Sequence, residues 1–204
     1  ASYPDTFGAK LGAKLGFNTN ATFQKFDTYR KARQLPEFFG VDTTRELPSI
    51  FGDQPIPTGP PAEQGLFAAA LENIWSPKTI TAPPNSSVDF QIGNNFGDLG
   101  VELAAGWSNK YVVYPNRIQR TYKQQDASAG AILDDDFVYD FSIWETELGA
   151  VLTTGYDIDD DNRLSFRALY QRQTADGVEL GLGTREQTGN PTRVTRLEYD
   201  QEDL

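Results

Sequence analysis

The chain contains no cysteine, no histidine and no methionine. Without cysteine there is neither a disulfide framework nor a thiolate metal site. Without histidine there is no Ser-His-Asp or Cys-His nucleophile system and no imidazole-ligated zinc. Positive charge is scarce: 18 Lys and Arg against 29 Asp and Glu leave a net charge of -11. Phosphate backbones are held by clustered cations, so nucleic acid is excluded as a partner. Long apolar runs are missing too. Hydrophobic residues make up 38% of the chain and mean hydropathy is -0.51, and no stretch approaches the roughly 20 apolar residues of a spanning helix. That absence excludes only helical membrane proteins. A spanning strand shows lipid every second residue and leaves its other face polar.

What is present is alternation. Ala9, Leu11, Ala13, Leu15, Phe17, Ala21 and Phe23 share one parity, with Thr19 the polar exception. Lys10, Gly12, Lys14, Gly16, Asn18, Asn20, Thr22 and Gln24 share the other. A period of two marks a strand with one apolar and one polar side. Soluble strands run about 5–6 residues, whereas about 9–11 tilted residues cross a bilayer as one barrel stave. The length of this first segment, residues 9–26, therefore predicts a transmembrane β-barrel.

Five further strands are expected over residues 88–96, 99–114, 137–156, 164–173 and 193–201. In the fourth, Phe137, Tyr139, Phe141 and Ile143 are odd-numbered while Trp144, Leu148, Ala150, Leu152 and Tyr156 are even. A one-residue slip of this kind predicts a β-bulge. Gly97-Asp98 reads as a tight hairpin turn and residues 157–163 as a second short turn. Residues 27–87, 115–136 and 174–192 read as long loops, the first rich in proline, with a short helix over 62–74 that ends at Trp75. Short turns on one side and long loops on the other are the two ends of an outer-membrane barrel. Phe96 and Tyr156 near the short turns, and Trp107, Tyr111, Tyr139, Phe141 and Trp144 toward the loops, would form two aromatic girdles. The alternative for these rings is a sandwich core.

The chemistry-bearing side chains are few. Lys10, Lys14, Glu102, Glu145, Glu147 and Arg167 fall on the polar parity and would face a barrel lumen. Glu145 and Glu147 point the same way, but a pair of acids about 5–9.5 Å apart needs a cleft to act on a glycoside, and no cleft signature surrounds them. No catalytic residue is nominated, and no cofactor is implied. Asp157, Asp159 and Asp161 alternate like a calcium loop, yet its sixth and twelfth positions hold Asn162 and Ala168 where glycine and a bidentate glutamate belong. These residues read as an acidic turn, not a metal site. Asp134, Asp135 and Asp136 fall in an expected external loop.

At its motifs the chain resembles the barrel of a TonB-dependent outer-membrane receptor. Ser2-Tyr3-Pro4-Asp5-Thr6-Phe7, Lys10-Leu11-Gly12 and Gly16-Phe17-Asn18-Thr19-Asn20-Ala21-Thr22-Phe23 are similar to the family's passage from plug to first barrel strand. Arg45-Glu46-Leu47-Pro48, Trp75-Ser76-Pro77-Lys78 and Ala82-Pro83-Pro84-Asn85-Ser86-Ser87 resemble the first long loop and the approach to the second strand. Asp160-Asp161-Asn162-Arg163-Leu164-Ser165-Phe166 resembles a periplasmic turn, and residues 193–204 a later strand.

The resemblance implies an all-β, antiparallel up-and-down transmembrane barrel segment, about six strands of a barrel of about 22. No TonB box, plug domain or C-terminal aromatic is recognised, so the chain reads as a portion of a larger receptor. It further implies import of a scarce solute across the bacterial outer membrane. The partners would be lipid and lipopolysaccharide, the plug domain and remaining barrel, and the TonB complex acting through the plug. Arg45, Trp75 and Asp134, Asp135 and Asp136 would then lie on the ligand side, and the six lumen charges would face the plug. A soluble all-β binding or scaffold module, or a passive porin-like barrel, is the alternative.

Overall fold

The alternating segments form strands that pair in chain order. The computed structural model describes residues 6–29, 49–51, 61–70, 76–124, 130–159, 161–185 and 191–204. Its strands are β1 (Gly8–Gly16), β2 (Lys25–Thr28), β3 (Lys78–Thr81), β4 (Asn85–Phe96), β5 (Leu99–Lys123), β6 (Ile132–Asp157), β7 (Arg163–Arg185) and β8 (Pro191–Asp203), with an α-helix, α1 (Pro61–Ala70), and a short 3-10 helix (Ser49–Phe51). Six strands make one antiparallel sheet in the order β1-β4-β5-β6-β7-β8, and β2 pairs with β3 in a small second sheet. The fold is all-β, and the large sheet is not closed on itself.

Residues opposite one another in a ladder share a face. Following the register from Leu11 to Phe90, Ala105, Ala150 and Tyr170 defines a front face. One position along, Gly12, Asp89, Gly106, Gly149 and Gln171 define the back. The period-two reading of the sequence is thus the real partition of side chains over most of the sheet.

The strand limits differ from the sequence reading, and the reasons are local. The first segment is two elements. Thr22 and Ala21 N–H groups donate to the Asn18 carbonyl at 2.8 and 3.1 Å, and the Thr22 hydroxyl accepts the Asn18 N–H at 2.9 Å. These bonds close a turn after Gly16, and the alternation continues through it only because Ala21 happens to point inward. The expected loops over 115–136 and 174–192 are mostly strand, since β5 runs to Lys123, β6 begins at Ile132 and β7 runs to Arg185. Asp134, Asp135 and Asp136 accordingly sit within β6, not in a loop.

The bulge expected in β6 between Ile143 and Trp144 is absent: its register with β7 is unbroken from Asp135 to Asp157. The β5–β6 ladder slips elsewhere: Asp134 is an extra residue of β6 between the pairs Thr121–Asp135 and Tyr122–Leu133, and β5 carries a bulge at Pro115-Asn116. Tyr114 pairs with Phe141 and Arg117 with Tyr139, so Pro115 and Asn116 together face Asp140. Proline has no N–H for the ladder, and Asn116 takes the left-handed conformation (φ 55°), donating its N–H to Asp140 Oδ1 at 2.8 Å. The parity change in β6 is therefore a change of face. Phe137, Tyr139, Phe141 and Ile143 point to the back, Trp144 and its successors to the front.

The packed core sits where β2 and β3 fold over the upper front face. Phe26 meets Tyr111 edge-on at 5.2 Å, and Tyr111 stacks on Trp144 at 5.6 Å, with Ala21 and Ala82 filling the remainder. Tyr111 and Trp144 are core rings, and Tyr139 and Phe141 lie on the opposite face, so these four do not belong to an outward girdle. Polar bonds fasten the same hairpin. The Asp27 N–H donates to the Ser142 hydroxyl at 3.3 Å, and the Tyr29 hydroxyl contacts Asp176 at 3.1 Å and the Glu198 carbonyl at 3.0 Å.

Candidate functional site

Below the hairpin the front face is apolar and bare. Along β4 it presents Val88, Phe90, Ile92 and Phe96, broken only by Asn94; along β5, Leu99, Val101, Leu103, Ala105 and Trp107. β6 continues it with Leu148, Ala150, Leu152 and Tyr156, β7 with Leu164, Phe166, Ala168 and Tyr170, and β1 with Leu11, Ala13 and Leu15. Leu11 is 79% exposed and Phe166 59%, whereas Trp144 on the covered part of the same face is 3% exposed. Single exposed apolar residues are ordinary, but a contiguous patch across five strands marks an interaction surface.

The band ends on a polar row. Ser86, Asn109, Thr146 and Thr174 are successive cross-strand partners on the front face, and the last three are buried under the hairpin. Asn109 Oδ1 accepts the indole N–H of Trp144. That bond satisfies a buried donor which would otherwise cost about 1–3 kcal/mol.

Behind the band the back face is mostly polar, with Val151 and the exposed Leu169 as apolar members, and forms a groove of about 560 Å³. Its floor is made of small residues, Ala104, Gly106 and Gly149, and its walls include Lys10, Ser87, Asp89, Gln91, Ser108, Glu147 and Gln171. The floor is low because Gly106 and Gly149 are directly paired, with Asp89 beside Gly106 and leaning over Gly12. Gln91 donates to Glu102 at 2.6 Å, and Ser108 to Glu147 at 3.4 Å. Lys110 pairs with Glu145 at 2.8 Å.

All six charges expected to face a lumen, Lys10, Lys14, Glu102, Glu145, Glu147 and Arg167, lie on the back face. Of these, Lys10 and Glu147 line the groove itself. Glu145 and Glu147 share their face without a common cleft: one is tied to Lys110, the other borders the groove. The aspartates named as ligand-side are each ion-paired, Asp134 with Lys123 at 3.3 Å, Asp135 with Arg185 at 3.8 Å and Asp136 with Arg120 at 3.1 Å. Arg45 and Trp75 lie outside the described residues.

At the acidic turn Asp157 and Asp159 use their carboxylates locally. Asp157 holds Arg163 by a two-pronged pair, with Nη2 at 2.7 Å from Oδ2. Asp159 Oδ1 accepts the Asn162 side-chain amide at 2.7 Å, the Asn162 N–H at 2.8 Å and the Asp161 N–H at 3.0 Å. These bonds, the Asn162 amide first, hold the Asp159 carboxyl below the usual aspartate range. Among the described residues no three acidic side chains converge as a metal site.

On the upper back face lies a cluster that sequence reasoning missed. Phe137 and Tyr139 stack at 5.6 Å and lie over Gly183 and Gly181. Arg185 sits over the Phe137 ring at 5.7 Å, and Arg117 over Phe141 at 5.1 Å. The buried Glu179 pairs with Arg196 at 2.9 Å. The usable signal was the pairing of alternate aromatics in 137–141 with alternate glycines in 177–183, which an antiparallel register brings together. Comparison with family models, with curated proteins and with solved structures yields no match to this chain.

Proposed function

We propose that this chain is a section of wall from an outer-membrane β-barrel, and that the whole protein is a solute-import receptor of the TonB-dependent kind. The observation that carries the wall reading is the bare apolar band on the front face. On β4, β5 and β6 it covers residues 88–96, 99–107 and 148–156. At ~3.4 Å per residue and a tilt of ~40°, such a segment rises ~23 Å, which suits the apolar band of ~25 Å that outer-membrane barrels present to lipid. A polar back face with a small-floored groove suits a lumen wall, where the six back-face charges meet water or an inserted plug. Lipid leaves no sheet edge unpaired. The free side of β1 and the lower part of β7 would therefore continue into further strands. The import role rests on the sequence resemblance alone.

The packed core of Phe26, Tyr111 and Trp144 favours a second reading, a soluble all-β binding module whose band docks a protein. Fractionation separates the two. In the wall reading the polypeptide carrying this chain stays with outer membranes through carbonate extraction, and its mass is several times 22.7 kDa. Leu103→Arg, at mid-band, costs about 2–4 kcal/mol in lipid and depletes the protein from that fraction. A water-soluble, compact 22.7 kDa product, indifferent to Leu103→Arg, overturns the wall reading.

A further inference from the structure

The turn that joins β1 to β2 carries an unexplained pair of phenylalanines. It is tightly tied: besides the bonds around Asn18, the Phe23 N–H donates to the Ala82 carbonyl at 2.8 Å, and Ala21 and Thr22 are buried. Phe23 is held at φ 61°, the left-handed region that glycine or asparagine enters readily and a bulky side chain rarely does. Its ring is nevertheless 64% exposed and lies 6.3 Å from that of Phe17, itself 70% exposed. A turn needed only for its path would be better served by glycine. A strained residue with its ring in the open points to a use for the ring.

The position indicates that use. Leu15 is exposed at the end of β1, so apolar surface runs without interruption from Leu11 through Leu15 to Phe17 and Phe23. Along this margin the apolar surface continues past the level of Ser86, the partner of Leu15 and the end of the Asn109 row. Lys25 is exposed just beyond it. Apolar rings followed by a cation match the boundary between acyl chains and anionic head groups.

We propose that Phe17 and Phe23 form a lipid-inserting knuckle at the upper rim of the band, with their rings in the outer acyl layer and Lys25 at head-group phosphates. This rests on the wall reading. Its test uses the absence of cysteine, which makes any introduced thiol unique within the chain. The polypeptide carrying this chain is reconstituted into phosphatidylethanolamine–phosphatidylglycerol vesicles with a nitroxide at Phe17→Cys, Phe23→Cys or Leu103→Cys. Each label is then probed with oxygen, which partitions into lipid, and with a water-soluble nickel chelate. The expected result is a deep label at position 103 and shallower labels at 17 and 23, open to oxygen and several-fold protected from nickel. A lipid-bound label at 103 with labels at 17 and 23 open to nickel, or shielded from both probes by a protein contact, overturns the knuckle and leaves the wall standing. A label at 103 in water overturns both. Position 17 has no left-handed backbone, so its label reports even where the position 23 variant misfolds.

Discussion

The lower and upper halves of the large sheet are built from the same strands and treat their faces in opposite ways. Toward the Gly97-Asp98 turn, the front of β5, β6 and β7 carries Leu99, Tyr156 and Phe166 in the open, while the back is mostly polar. Farther up, the same front face carries Tyr111, Trp144 and Val178 in a buried layer under β2 and β3. Beyond that, the back face buries Phe137 and Tyr139. Alternation along a strand says which residues share a side. It does not say which medium, protein or solvent or lipid, that side meets.

Substitutions that weigh one half against the other sharpen this contrast. The largest expected effect is in the upper core. Trp144→Ala removes the ring stacked on Tyr111 and orphans the Asn109 carbonyl, and costs about 3–5 kcal/mol in stability. Leu164→Ala, on the open band, costs less than about 0.5 kcal/mol in water or detergent. Denaturant unfolding of the two variants reads the difference directly, and equal losses would erase the distinction between the halves.

A smaller effect separates the glycines. A Cβ on Gly183 would fall on the Asp136 carbonyl oxygen and the Phe137 Cα, both backbone, so Gly183→Ala forces the β6–β7 ladder apart at a cost of about 1–3 kcal/mol. The nearest atoms to a Cβ on Gly12 belong to the carboxylate of Asp89, the end of a side chain that can swing into the groove, so Gly12→Ala is close to neutral. Thermal midpoints of the two variants decide the matter.

The smallest effect is confined to the lower turn. Hydrogen bonds from Asn162 and Asp161 favour the charged form of Asp159 and depress its folded pKa. A depressed carboxyl contributes stability above its unfolded pKa and loses it as pH falls through the folded value. Amide exchange at Asn162 should therefore quicken in acid below the ordinary aspartate range, with Thr146 in the upper half unmoved. Asp159→Ala should exchange fast at every pH. Acid-induced exchange that appears first at Thr146 would contradict this order.

The lower half was legible in the sequence because a single rule governs it. Leu99 through Trp107 alternate cleanly, Gly97 takes the positive φ (73°) that a tight turn requires, and register follows from the turn. The six charges of the polar parity fell on one face for the same reason. The upper half was misread where tertiary packing broke the rule. Residues 21–26 looked like the end of a first strand because the Asn18 turn by accident preserves parity as far as Phe23. The change at Ile143 and Trp144 looked like a bulge because a switch of buried face and a backbone slip write the same pattern. Pro115-Asn116 carried the true bulge signal, a residue without an N–H followed by one that tolerates left-handed backbone, but lay in what read as loop.

The hairpin of β2 and β3 has a consequence for the order of assembly. Its fastenings join Asp27 to Ser142, 115 residues away, and Tyr29 to Asp176 and Glu198, 147 and 169 residues away. The surface it covers does not exist until β5, β6 and β7 have aligned, and closing such long loops carries an entropic penalty that only a finished surface offsets. Residues near the start of this chain therefore reach their final contacts last. Protection of the Asp27 amide would serve as a clock hand for the docking of β2 onto β6.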